Sequence, residues 1–66
     1  MLQKNKLRAK MCEMNYSMEN ISRLLGIKSS TLYRKMNGKS EFNRAEIEQL
    51  VKILKLDNPS EIFFAN

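Results

Sequence analysis

Apolar residues in this chain recur every three or four positions, in short runs broken by polar stretches. Leu7, Met11 and Met14 stand at i, i+4 and i+7, which predicts a helix over about 3–14. Asn15 suits its stop. Ile21, Leu24 and Leu25 predict a second helix over about 18–25, all three facing inward. Ser17 is positioned to cap it, because a hydroxyl can accept an unpaired first-turn N–H. Tyr16 and Ile21 have the spacing of a hydrophobic staple, and Gly26 suits a left-handed stop. A third helix is predicted over about 29–37. Ile27 and Leu32 repeat the staple spacing and put Lys28 at the cap, although lysine is a poor cap and Ser29 could serve instead. Asn37-Gly38 ends it. Ile47, Leu50, Val51 and Leu54 predict a fourth helix over about 44–55, with Asn43 and Glu46 as a capping box and Phe42 stapled to Ile47. A short fifth helix, about 59–64, opens with Asn58 as cap, Pro59 at the first position and Glu61 completing a box. The expected fold class is all-α: one domain, residues 1–66, of five helices.

A chain of 66 residues buries only about 60% of its unfolded surface and has little core to spare. Cys12 is the only cysteine and there is no histidine, so an intrachain disulfide and a Cys/His zinc site are both excluded. Cys12 is expected as a small core residue. There is no apolar run long enough for a membrane span and no signal-like start, so a cytoplasmic protein with a reduced thiol is expected. Net charge changes the picture more. Residues 1–40 hold nine Lys/Arg against two Glu, a balance of +7; residues 41–66 carry −2. A basic front half favours a polyanionic partner, nucleic acid before membrane. Within it, the Lys4/Lys6/Arg8/Lys10 tract spreads around a helix and reads mostly as a solvated face, with one or two members near a DNA backbone.

Three residues, Gly26-Ile27-Lys28, separate the second and third helices, the spacing of a helix-turn-helix. Ile21, Leu25, Ile27 and Leu32 take its hydrophobic positions, Ser22 the position where only a small residue lets the helices approach, and Gly26 the turn. Lys35 stands where an apolar residue is expected; its stem could cover apolar surface while the ammonium reaches water.

With NKLRAK in the first helix, then SMENISRLLGI, SSTLYRKMNGKSEF and EIEQLVKILKL, the chain resembles the phage-repressor and Cro-type helix-turn-helix domains, the lambda-repressor-like or XRE-type family. That resemblance implies a compact five-helix fold and sequence-specific binding of a double-stranded DNA operator by a transcription regulator. In such domains the third helix enters the major groove by its N-terminal end. The resemblance makes Lys28, Ser29, Ser30, Tyr33 and Arg34 the candidate base readers, with Leu32 and Met36 facing inward. Arg34 leads, since a guanidinium can bond guanine O6 and N7 together. It places phosphate contacts at Ser17, Met18, Asn37, Lys39 and Arg44. It also brings two departures. An Arg in the first helix and a Glu near the end of the third pair inside many such folds; here Met11 and Met36 occupy those positions, either touching as apolar substitutes or acting as separate fillers. Met18 stands where a Gln often braces the DNA contact.

Nothing points to catalysis: there is no His for a triad and no phosphate-cradling glycine loop, and Glu46 and Glu48 diverge on a helix. No cofactor, metal or small-molecule ligand is expected. Phe63 and Phe64 are hard to bury together on one short helix, which suggests a weak homodimer through the C-terminal helix. The other reading is a protein-interaction module, antitoxin-like or an anti-regulator, on the same scaffold.

Overall fold

The computed structural model describes residues 2–64. It contains α1 (Lys4–Glu13), α2 (Met18–Leu25), α3 (Ser29–Met36), α4 (Arg44–Leu54) and α5 (Pro59–Phe63), and no strand among the described residues. Each helix lies within one residue of its expected bounds.

The start and stop signals account for most of those bounds. Ser17 Oγ accepts the Asn20 N–H at 3.1 Å, and Asn20 Oδ1 accepts the Ser17 N–H at 3.1 Å, a reciprocal box. Asn43 and Glu46 form the same box on α4, at 2.8 and 2.9 Å. Gly26 ends α2 at φ +73°, and Gly38 turns the chain after α3 at φ +79°. Asn15 takes φ +63° after α1, a region that asparagine tolerates. Lys28 is the residue before α3, extended and without a side-chain cap bond.

The helices enclose one core. Leu7 and Met11 enter from α1, Ile21 from α2, Leu32 and Met36 from α3, and Leu50 and Leu54 from α4; Leu56 and Phe63 close it. Met11 and Met36 are therefore both core residues, and neither brings a charge into the core. Phe42 meets Phe63 edge to face with ring centroids 5.8 Å apart, which pins the α3–α4 loop onto α5. The Gln3 N–H donates to Ile62 O at 2.6 Å and Lys6 pairs with Glu61 at 2.9 Å, joining α1 to α5.

Four expectations are corrected. Cys12 is exposed, because it lies one residue beyond Met11 and so about 100° round α1 from the buried stripe. Leu24 is 50% exposed: burial of Ser22 turns α2 so that Leu24 falls at the edge of its inner face. Asn58 stands at the N-cap of α5 but forms no side-chain cap bond and no box: its Oδ1 accepts the Ser60 hydroxyl at 2.9 Å, and Glu61 faces Lys6 instead. The Lys35 ammonium does not run out to water. It sits 2.7 Å from Glu46 Oε1, a carboxylate made available by the α4 cap.

Candidate nucleic-acid interface

Ser22 sets how closely α2 and α3 approach. It is 4% exposed, and its hydroxyl donates to Glu19 O at 2.9 Å and lies 3.3 Å from Ser29 Oγ. A larger side chain there would push the helices apart. The Gly26 and Ile27 amides donate back to Arg23 O and Ser22 O, at 3.1 and 3.0 Å, so the turn into α3 is bonded to the end of α2. Burial of Leu32 and Met36 then fixes the rotation of α3.

That rotation leaves Lys28, Ser30, Tyr33 and Arg34 exposed. Ser30, Tyr33, Arg34 and Asn37 are spaced i, i+3, i+4 and i+7 and share one face. Tyr33 is 48% exposed, high for an aromatic residue. Ser29 differs from its companions: it is half-buried, with its hydroxyl toward Ser22. Among the described residues no carboxylate lies within ion-pair distance of Lys28, Arg34 or Lys39, so these cations are uncompensated.

The expected phosphate-contact residues divide. Asn37 and Lys39 are exposed, and the Lys39 N–H donates to Arg34 O at 2.9 Å, which ties this loop to α3. The Arg44 side chain is 93% exposed, with Nε 3.4 Å from Glu48 Oε1; so open an i, i+4 pair leaves the guanidinium available. Ser17 is exposed, but its hydroxyl is engaged twice with Asn20, as acceptor from the amide and as donor to Oδ1 at 2.8 Å. Met18 is half-buried against the core and offers only its backbone N–H, one of the first-turn amides of α2 without an intrahelical partner.

Two further residues, not singled out from the sequence, bond to members of the candidate site. Asn20 completes the α2 cap, and the Ser17-x-x-Asn20 spacing could have signalled it. Lys4 was grouped with a solvated tract, yet its ammonium donates to Asn37 Oδ1 at 3.1 Å. Among the described residues no group of His, Cys, Asp and Glu could hold a metal ion, and no helix is long and apolar enough to cross a membrane.

No curated protein and no solved structure matches the chain. The model of one family, the BetR domain, matches residues 4–65, a span that takes in all five helices and every candidate contact above. The chain thus belongs to the BetR domain family, a family of helix-turn-helix-like DNA-binding domains.

Proposed function

We propose that this domain is a sequence-specific double-stranded DNA-binding regulator of transcription, of the phage or prophage repressor or Cro type, acting in the cytoplasm and without catalytic activity. The supporting observation is the outer face of α3. It presents Ser30, Tyr33 and Arg34 together, and the Arg34 guanidinium has no intramolecular partner among the described residues. In this reading α3 enters the major groove. Arg34 reads a guanine, Tyr33 covers a thymine methyl or holds a phosphate, and Lys28 and Ser30 contact neighbouring positions; Ser29 contributes through the helix crossing. Asn37, Lys39, Arg44 and the first turn of α2 at Ser17 and Met18 hold the backbone on either side. Two copies on a two-fold axis would read half-sites about 34 Å apart. Phe64, 64% exposed beside a groove formed by Phe42, Ile47, Val51 and Pro59, is the surface for such a weak homodimer.

The same exposed apolar surface favours a second reading, in which the domain binds another protein through α5 as an antitoxin-like partner or anti-regulator. Selection from a random duplex pool separates the two. A two-fold symmetric consensus that is lost with Arg34→Ala supports the operator-binding reading. Failure to enrich any sequence overturns it and directs attention to the α5 surface.

A further inference from the structure

The Lys4–Asn37 bond joins residues 33 positions apart, and both its partners are exposed. Helical spacing explains why they meet. Lys4, Leu7 and Met11 are at i, i+3 and i+7, so Lys4 begins the stripe that α1 buries. Met36 is buried in the same core as Leu7 and Met11. The residue after Met36 therefore emerges beside the residue that opens the stripe.

The chemistry of the pair is asymmetric. An ammonium only donates, so it holds the Asn37 carbonyl oxygen and leaves the Asn37 amide N–H donors for another acceptor. Lys4 likewise keeps donors to spare. Two other α1 lysines have carboxylate partners, Lys6 with Glu61 and Lys10 with Glu13, whereas among the described residues Lys4 has none. Its charge meets a neutral amide and is not cancelled. Lys39, two residues beyond Asn37, adds a second uncompensated cation on a loop bonded to Arg34 O. Between them Gly38 faces open space: a Cβ built there meets nothing within 4 Å.

The geometry points to a phosphate clamp made by Lys4, Asn37 and Lys39, which grips one backbone phosphodiester of the bound duplex from α1 and the end of α3 together. This inference rests on the DNA-binding reading above and adds α1 to the binding surface. Lys4 contributes charge and orients Asn37, Asn37 supplies a directed N–H, and Lys39 closes the far side.

The test is a titration of the duplex recovered by selection, followed by fluorescence anisotropy over a series of salt concentrations. Lys4→Ala is expected to make the slope of log affinity against log salt shallower by about 0.9, the loss of one phosphate contact. Lys6→Ala, a charge removed from the same helix, is expected to leave the slope unchanged. Asn37→Asp keeps an acceptor for Lys4 but sets a negative charge in the clamp, and is expected to bind DNA more weakly than Asn37→Ala. The clamp is overturned if Lys4→Ala and Lys6→Ala change the slope equally, or if Asn37→Asp binds at least as well as Asn37→Ala. Those results leave the DNA-binding reading standing. A wild-type protein that binds no duplex overturns both.

Discussion

Lys35 on α3 and Glu46 on α4 form an ion pair 2.7 Å long, with side chains only 12% and 9% exposed. Glu46 Oε1 also accepts the Asn43 N–H at 2.9 Å, and Lys35 also donates to Glu41 O at 3.3 Å, with its ammonium 5.9 Å from the Phe42 ring centre. One carboxylate thus caps α4 and anchors α3, and the loop carrying Asn37 and Lys39 is closed between the two ends. A buried pair is costly to break from one side, because the remaining charge stays desolvated, and cheap to replace from both sides. Lys35→Met is expected to destabilise the fold by about 3 kcal/mol. Adding Glu46→Gln, which keeps an acceptor for the cap, is expected to recover at least about 1 kcal/mol of that loss. Urea denaturation of the two single variants and the double variant measures the coupling, and additive losses would contradict it.

Ser17 has a structural role and a proposed contact role, and chemistry can separate them. Ser17→Ala is expected to cost about 1 kcal/mol of stability through loss of the cap. Ser17→Asp preserves capping and is expected to melt close to the wild type. Its carboxylate should nonetheless weaken duplex binding, since it stands where a phosphate would approach. Thermal melting and anisotropy on the same preparations decide this; equal DNA affinity for Asp and Ser would remove Ser17 from the interface.

Arg34 is exposed and unpaired among the described residues, so truncating it should change stability by no more than about 0.5 kcal/mol. Its effect should appear in recognition. Arg34→Ala is expected to lose about 1–3 kcal/mol of discrimination at one base position of each half-site, and little at the others. Repeating the selection with the variant reads this directly; uniform weakening at every position would make Arg34 a phosphate contact.

Phe63 and Phe64 are adjacent but differ in environment, at 6% and 64% exposed. Phe63→Ala should cost about 3–5 kcal/mol, as expected for a buried aromatic residue, while Phe64→Ser should leave unfolding nearly unchanged. If the groove beside Phe64 holds a second copy, Phe64→Ser will shift sedimentation toward monomer at protein concentrations where the wild type associates.

How far the sequence carried the argument can be seen in particular residues. Ser17, Gly26, Asn43 and Gly38 were legible because each answers a local need, a cap oxygen or a left-handed backbone, that few residue types meet. Leu24 is misplaced by a stripe centred on apolar residues alone, and Cys12 by being counted with a stripe that passes about 100° away from it. Counting Ser22 as buried re-centres α2 and leaves Leu24 at the margin. The Lys35–Glu46 pair was hidden for another reason. Each residue had a sufficient local explanation, a snorkelling lysine and a capping glutamate, and only the crossing of α3 and α4 brings them together. The same holds for Lys4 and Asn37, since a bond across 33 residues has no signature in either neighbourhood. The outer face of α3 was readable from the inward positions of Leu32 and Met36, except at Ser29, whose partner Ser22 lies across the turn.

The Gln3–Ile62 hydrogen bond also says something about the order of events in folding. It closes almost the whole length of the chain, whereas α2 and α3 meet across three intervening residues. Closing a longer loop loses more chain entropy, so the helix-turn-helix should assemble early and the α1–α5 seam should zip late. In the native protein the seam should then be among the first places to open, and its Gln3 amide should exchange with solvent faster than the amide of Leu50 in the core helix. Residues proposed to grip DNA from α3 would stay organised through such openings, while Lys4, which lies between the seam residues Gln3 and Lys6, would engage and disengage with them.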